Sequence, residues 1–179
     1  MLDFLEQEHI SRDILDGIRA YRARYPLPER LQPRVPHPHY HYYGREIWEA
    51  AAAALLCGRN LLLAGSKATG KNVLAENLSM AFDRPAWNVS FHVNMDAASL
   101  IGMDTFTGGE AQSGGFGILD EINMAKNEAL AVLHATLDYR RAIDVPGYDR
   151  VEVDEAARFI GTMNYGYAGT RELNEALTS

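Results

Sequence analysis

A glycine-containing loop directly after a short apolar run constrains the fold more than any other feature of this chain. Residues 65–72 read Gly-Ser-Lys-Ala-Thr-Gly-Lys-Asn and follow Leu61-Leu62-Leu63-Ala64. This is the G-x-x-x-x-G-K pattern of a phosphate-binding loop between a buried strand and a helix. In such a loop, backbone N–H groups surround phosphate oxygens and the helix N-terminus adds its positive dipole. The pattern predicts a nucleotide site; the alternative is an ordinary strand-to-helix turn that contains glycine.

The predicted loop supplies phosphate ligands and part of a metal site. Lys71 carries the positive charge expected to reach the outer phosphates. The next position departs from the usual pattern, because Asn72 replaces the Ser or Thr whose hydroxyl holds magnesium. We expect Asn72 to be a weaker magnesium ligand. The loop residues predicted to bind nucleotide are Gly65, Ser66, Lys67, Ala68, Thr69, Gly70, Lys71 and Asn72.

Two acidic residues end a second apolar run about 50 residues downstream. Phe116-Gly117-Ile118-Leu119 is followed by Asp120 and Glu121, the Walker B form. A buried parallel strand delivers such carboxylates to the sheet edge where ligands bind. Asp120 is predicted to hold Mg²⁺, directly or through water, and Glu121 to take a proton from the attacking water. Alternatively, the two acids only cap the next helix, but that interpretation does not account for the loop upstream.

A third run, Ala157 to Thr162, leads into Met163-Asn164. An amide at the end of a strand beside the first could orient the attacking water against the γ-phosphate of ATP, so Asn164 is a candidate catalytic residue. The alternative is asparagine as a turn former. Three polar strand ends in this order favour a nucleotide hydrolase that uses ATP and Mg²⁺.

With these motifs the chain resembles an AAA+ ATPase of the MoxR and dynein-related (midasin-like) branch. The resemblance covers about residues 42–179 and implies the P-loop NTPase fold, a three-layer αβα sandwich around a mostly parallel sheet. It also implies that Tyr43 and Gly44 lie against the adenine, and that Asn164 is the first sensor. The resembling stretches are residues 42–46, 65–72, 96–102, 118–123 and 161–173.

The resemblance implies ATP binding and hydrolysis by a ring, expected to be a hexamer, that remodels or activates a partner protein. That partner could carry a von Willebrand factor A-type domain. A nucleotide-gated assembly module with little hydrolysis is the alternative. Asn72 favours this alternative, whereas Glu121 argues against it, because a pure binder needs no base. A small-molecule kinase would need an arginine-rich lid, which the sequence does not show.

Two departures from the family limit what the resemblance carries over. The segment formed by residues 102–115 is short, polar and glycine-rich, whereas members of the family have a longer helical insertion at this place. The chain ends at Ser179, before the expected arginine that reaches a neighbouring subunit's γ-phosphate and before a helical lid. We therefore expect a fragment of a longer polypeptide with slow turnover on its own, since such an arginine accelerates phosphoryl transfer greatly.

Composition narrows the function classes. The 179 residues carry a formal charge of −7 and only three lysines, which argues against a bulk nucleic-acid binder. Cys57 is the only cysteine, so no internal disulfide can form. No apolar stretch approaches the roughly 20 residues that span a bilayer, and the acidic N-terminus is unlike a signal peptide. We expect a cytoplasmic protein without a membrane partner.

The chain is expected to divide into two parts. Residues 1–41 contain an N-terminal helix over 3–24 and a proline-rich extended connector over 26–38, and residues 42–179 form the nucleotide-binding core. Within the core, the patterns predict further elements. These are a helix over 46–57 stopped by Gly58, a strand over 60–64, a helix to Phe82, a strand over 87–93, a helix over 125–137, and a hairpin that turns at Pro146-Gly147.

Aromatic and histidine residues near the connector have two interpretations each. His37, His39 and His41 alternate and would share one face of a strand. A zinc site there is disfavoured, because Pro38 interrupts the run and no acid or cysteine is nearby. Tyr40, Tyr42 and Tyr43 are predicted to pack against the domain rather than to stack on nucleic acid. Trp87 and Phe91 are predicted to lie in the core.

Overall fold

Within the described residues, four parallel strands form the central sheet of the computed structural model and pair in the order Leu61–Gly65, Arg158–Asn164, Phe116–Asp120 and Ala86–Ser90. The structure describes residues 1–92, 113–125, 127–137, 141–143 and 150–164. Its helices are α1 (Leu2–Gln7), α2 (Arg12–Arg24), α3 (Arg45–Leu56), α4 (Lys71–Ala81) and α5 (Asn127–Leu137). Its strands are β1 (Leu61–Gly65), β2 (Ala86–Ser90), β3 (Phe116–Asp120), β4 (Ala142–Ile143), β5 (Val151–Glu152) and β6 (Arg158–Asn164).

Alternate side chains of the sheet enter two separate cores. Ile118 and Ile160 join a core with residues of α2, α3 and α4, whereas the neighbouring Leu119 and Phe159 join a core with residues of α5. Since successive side chains of a strand point to opposite faces, helices cover both faces of the sheet. This confirms the predicted αβα sandwich, and it explains why β3 is an uninterrupted apolar run.

Strand β6 lies between the phosphate-loop strand and the acid strand. It pairs in parallel with β1, where Gly65 is opposite Asn164, and with β3, where Leu119 is opposite Gly161. The carboxyl ends of these three strands therefore lie at one edge of the sheet, as predicted from the polar residues that follow each apolar run.

The prediction of a single N-terminal helix over 3–24 was wrong. Helix α1 ends in a Schellman motif, in which the His9 N–H donates to Glu6 O at 3.1 Å and the Ile10 N–H donates to Leu5 O at 3.0 Å. His9 takes the left-handed conformation that this motif needs, with φ 58°. The break turns the chain so that Leu5, Ile10 and Leu15 all enter the first core.

The proline-rich connector is also more structured than predicted. A 3₁₀ helix spans Glu29–Arg34, after which Val35 is buried. The guanidinium of Arg34 lies 5.1 Å from the centroid of the Trp87 ring, within cation–π range. The connector therefore packs on the domain instead of running extended over it.

The remaining predicted elements agree with the structure to within a few residues. Gly58 follows α3 with φ 79°, and β4 pairs antiparallel with β5, although the predicted turn at 146–147 lies outside the described residues. Trp87 and Phe91 are buried as predicted. Within the described ranges, no helix is long and apolar enough to cross a membrane.

Tyr21 of α2 connects the N-terminal helices to the segment that leads into β6. Its hydroxyl donates to Ala156 O at 2.5 Å, and the guanidinium of Arg158 lies 5.7 Å from its ring centroid. Burial of the phenol raises the pKa of Tyr21 to about 12, against the opposing effect of nearby Arg158 and Arg84. The neutral hydroxyl is therefore the form that the folded protein stabilises.

Tyr21→Phe should lower the free energy of unfolding by about 1 kcal/mol at pH 8, because one buried hydrogen bond is lost. The folded pKa of Tyr21 is higher than the unfolded pKa, so its contribution is complete below about pH 10 and is lost as the pH rises towards 12. Urea unfolding at pH 8 and pH 11 should show the gap between parent and variant shrinking at the higher pH. The exposed Tyr40 provides the control, since Tyr40→Phe should leave stability unchanged. A gap for Tyr21→Phe that does not change with pH would contradict this account.

Candidate functional site

The phosphate loop turns sharply from β1 into α4. Ala68 and Gly70 have positive φ angles of 61° and 80°, and α4 begins at Lys71. A Cβ atom at Gly70 would lie 3.3 Å from the ring of Tyr42, so this position needs glycine for space as well as for its backbone conformation. Left-handed residues before a helix are typical of loops whose N–H groups bind anions.

The Lys71 ammonium lies over the first half of this loop. Its Nζ donates to Ser66 O at 2.7 Å, to Gly65 O at 3.2 Å and to Thr69 Oγ1 at 3.4 Å. Thr69 Oγ1 in turn donates to Ser66 O at 2.9 Å. The structure thus brings Gly65, Ser66 and Thr69 of the predicted loop around one cationic group. Lys67 is exposed on the same loop, and Asn72, the second residue of α4, is also exposed.

The two predicted acids occupy the end of β3 and the residue after it. Glu121 has a left-handed backbone with φ 54° and precedes a 3₁₀ helix, Ile122–Met124, but no side-chain hydrogen bond caps that helix. Instead, Glu121 Oε1 accepts a hydrogen bond at 3.1 Å from Asn164 Nδ2. The structure therefore pairs the predicted base with the predicted sensor, and it does not support capping as the role of Glu121.

Thr162 connects the two acids, and the sequence analysis missed this role. Its hydroxyl donates to Asp120 Oδ1 at 2.5 Å and accepts from the Glu121 N–H at 3.2 Å, while the residue is only 1% exposed. Thr162 stands two positions before Asn164 on the same face of β6. A Thr-x-Asn spacing at the end of a strand was the available signal.

Asn123 is a second missed residue. Its Nδ2 donates to Asn164 O at 3.0 Å, so it holds the main chain of the residue whose side chain contacts Glu121. The Asn123 side chain is buried, and its Oδ1 has no hydrogen-bond partner in the described part of the chain. Together, Asp120, Glu121, Asn123, Thr162 and Asn164 form what we call the acid–amide network.

The acid–amide network and the loop fit Mg²⁺ bound together with a phosphate ester. Mg²⁺ takes carboxylate, phosphate and water oxygens, and one Asp120 oxygen is engaged by Thr162, which leaves the other for the ion or its water. No cluster of three metal-binding His, Cys, Asp or Glu side chains occurs among the described residues. Phosphate oxygens and water could supply the further ligands of a magnesium ion here.

Tyr42 places the predicted adenine-side residues beside the loop. Its ring lies against Gly70, and Gly44, with φ 141°, is the residue before α3. Tyr43 is 67% exposed and meets the Phe4 ring edge-on, with the centroids 5.4 Å apart. The prediction that the three connector tyrosines pack holds for Tyr42 and, through the contact with Phe4, for one edge of Tyr43. It was wrong for Tyr40, whose ring is exposed. Contact of Tyr43 and Gly44 with adenine stays a prediction.

Comparison with known families agrees with this geometry. Residues 60–179 match the model of the AAA domain, dynein-related subfamily. The chain belongs to this family. The expected resemblance to the MoxR and dynein-related branch of AAA+ ATPases is thereby confirmed.

Relatives extend over a longer chain than this one. YojN of Bacillus subtilis (strain 168), described as uncharacterized, is 33% identical over 189 residues, which cover 97% of this chain and 62% of YojN. An uncharacterized protein of Staphylococcus aureus (strain USA300) is 36% identical over 156 residues, covering 78% of this chain and 59% of that protein. This chain thus spans about six-tenths of the length of these relatives.

The fold also matches a solved structure. A crystal structure from Cytophaga hutchinsonii, described as that of a "putative ATPase", superimposes with a TM-score of 0.62 over 99% of this chain and 52% of its own. The sequence identity is 17%, so this match supports the fold alone.

Thr162→Val should reduce ATP turnover by the intact protein by about tenfold, because it removes the hydroxyl that connects Asp120 to the Glu121 main chain while keeping the side-chain shape. Thr162→Ser keeps a hydroxyl and should retain most of the turnover. Steady-state rates measured over a range of Mg²⁺ concentrations would check this. Equal activity of the Val and Ser variants would show that the hydroxyl does not matter.

Proposed function

We propose that the intact protein binds ATP with Mg²⁺ and hydrolyses it. The main supporting observation is the 3.1 Å hydrogen bond from Asn164 Nδ2 to Glu121 Oε1. The strand register also places Asn164 opposite Gly65, the first residue of the phosphate loop. A carboxylate and an amide beside a phosphate loop are the groups that activate and orient water in nucleotide hydrolysis.

Each residue has a role in this reaction. Lys71 and the N–H groups of the loop bind the phosphates, and Asp120, with Asn72 as a weaker candidate, would hold Mg²⁺, which neutralises phosphate charge when bound. Asn164 orients a water molecule, and Glu121 accepts its proton as the water oxygen bonds to the γ-phosphorus. The bond between that phosphorus and the bridging oxygen breaks, which leaves ADP and phosphate.

The adenine and the partners are further parts of this proposal. Tyr43 and Gly44 would contact the base, supported by the exposed ring of Tyr43 and by the Tyr42 ring that lies between Gly44 and Gly70 of the loop. Family membership supports a ring of copies, which we propose to be a hexamer, whose ATP cycle remodels a partner protein in the cytoplasm. Proteins with a von Willebrand factor A-type domain are the first partner class to test.

A nucleotide-gated assembly module that hydrolyses little ATP is the second candidate. Its supporting observation is Asn72, an amide at the position where a hydroxyl ordinarily holds Mg²⁺. The hydrogen-bonded pair of Glu121 and Asn164 favours hydrolysis instead, because neither group is needed for binding alone.

Lys71→Ala and Glu121→Gln should separate binding from chemistry in the intact protein. Loss of the Lys71 ammonium removes a full charge from the phosphate site, so ATP binding by calorimetry should fall below detection. Glu121→Gln keeps an oxygen that can accept from Asn164 but removes the base. ATP binding should persist, while turnover should fall by about 10²-fold or more.

Matched controls use exposed residues elsewhere. Arg19→Ala removes a cation that pairs with Glu6 and Asp16, and Glu152→Gln changes an exposed acid on β5; both should behave like the parent. Light scattering with ATP should show whether Glu121→Gln also stabilises an oligomer. Parental turnover by Glu121→Gln would remove Glu121 as the base, and unchanged ATP affinity of Lys71→Ala would contradict the site itself.

A further inference from the structure

Asn77, in the second turn of α4, uses its side-chain amide to hold a segment outside its own helix. Its Nδ2 donates to Tyr40 O at 3.0 Å, and its Oδ1 accepts from the Tyr42 N–H at 3.3 Å. Nδ2 also donates to Val73 O at 2.8 Å, within the helix. The residue is 0% exposed. A fully buried amide with its donor and acceptor both used fixes the Tyr40–Tyr42 backbone as a neighbouring strand would.

The same segment is held at a second place. The indole Nε1 of Trp48 donates to Tyr42 O at 2.8 Å, so the N–H and the C=O of Tyr42 are both bonded to buried side chains. The Tyr42 ring lies against Gly70 in the phosphate loop. Residues 40–44, which we call the base-side segment, are therefore attached to α4, to α3 and to the loop.

Beyond these attachments, the base-side segment and the first turn of α3 present apolar surface to solvent. Tyr43 is 67% exposed and Ile47, in the first turn of α3, is 47% exposed. The Tyr42 ring joins this surface to the phosphate loop, because a Cβ atom at Gly44 would lie 3.4 Å from that ring and 4.0 Å from Ile47 Cδ1, and one at Gly70 would lie 3.3 Å from the same ring. A flat ring and an aliphatic side chain offer the kind of surface on which a nucleobase packs. The position of that surface relative to the phosphates depends on how the segment is anchored.

We propose that Asn77 is a positioning residue for the nucleotide base. It clamps the base-side segment to the helix that follows the phosphate loop, so that the phosphate site and the base surface keep one fixed separation. The inference rests on the proposed function. Because the clamp orders the segment in the folded protein, nucleotide binding does not have to supply the cost of ordering it.

The clamp should matter only for ligands that have a base. Inorganic tripolyphosphate can occupy the phosphate loop but has no group that reaches the base-side segment. A variant without the clamp should therefore lose affinity for ATP and keep affinity for tripolyphosphate. A residue that only stabilised the fold would affect both ligands alike.

The test compares dissociation constants for ATP and tripolyphosphate, both with Mg²⁺, by calorimetry on the intact protein. Asn77→Leu keeps the volume but removes the amide, and it should weaken ATP binding by about tenfold, the equivalent of one or two buried hydrogen bonds. Trp48→Phe removes the other bond to Tyr42, so it should likewise weaken ATP binding and leave tripolyphosphate binding unchanged. Ser79→Ala is the control. Among the described residues, this buried hydroxyl on α4 bonds within the helix alone, to Ala75 O at 3.0 Å, so its loss should change neither constant.

The outcomes separate the inference from the proposed function. A parent protein that binds neither ligand contradicts the proposed function. A parent that binds both ligands equally well keeps the phosphate site and overturns the role of Asn77, because the base then contributes nothing. Equal losses of ATP and tripolyphosphate affinity in the Asn77 variant, or no loss of either, also overturn it. If Asn77→Leu does not fold, Trp48→Phe decides by the same criteria.

Discussion

The pairing of β6 with β1 on one side and with β3 on the other determines where each polar strand end lies. Backbone hydrogen bonds set Gly65 opposite Asn164 and Leu119 opposite Gly161, and a shift by one residue would turn every side chain to the other face of the sheet. The apolar side chains of β6 divide between two cores, which makes such a shift costly. This register therefore places the phosphate loop, Asp120, Glu121 and the Asn164 amide at one edge of the sheet.

Side chains and backbone from other parts of the chain hold helix α4 at its C-terminus and in its second turn. Arg22 of α2 donates to Ala81 O at 2.8 Å and to Met80 O at 3.0 Å, which satisfies carbonyls at the helix C-terminus, where a cation is also favourable. In the second turn of α4, Asn77 bonds to the base-side segment. The N-terminal helices and the base-side segment thus hold the helix that begins at Lys71, the residue proposed to bind the phosphates.

The sequence predicted the parts of this site that are encoded locally. The loop is a contiguous pattern, and Asp120, Glu121 and Asn164 each follow a visible apolar run. Thr162 and Asn77 were missed because their partners are 35 or more residues away in the chain; only Thr162 has a local signal, its Thr-x-Asn spacing from Asn164. The break at His9 was missed for a related reason: a non-glycine residue takes the left-handed position, and the burial of Leu5 and Ile10 in a shared core compensates. The family resemblance supplied the fold, whereas the tertiary contacts needed the structure.

The central claim is that Lys71, the loop and the acid–amide network enclose the terminal phosphate of ATP. The most direct test is a structure of the intact Glu121→Gln protein with Mg²⁺ and ATP. The account predicts the γ-phosphate within hydrogen-bond distance of Lys71 Nζ, which exchanges its contacts with Gly65 O and Ser66 O for phosphate oxygens, and a water molecule between Asn164 and residue 121. Nucleotide bound elsewhere, or Lys71 still bonded only to the loop carbonyls with the phosphates in place, would contradict it.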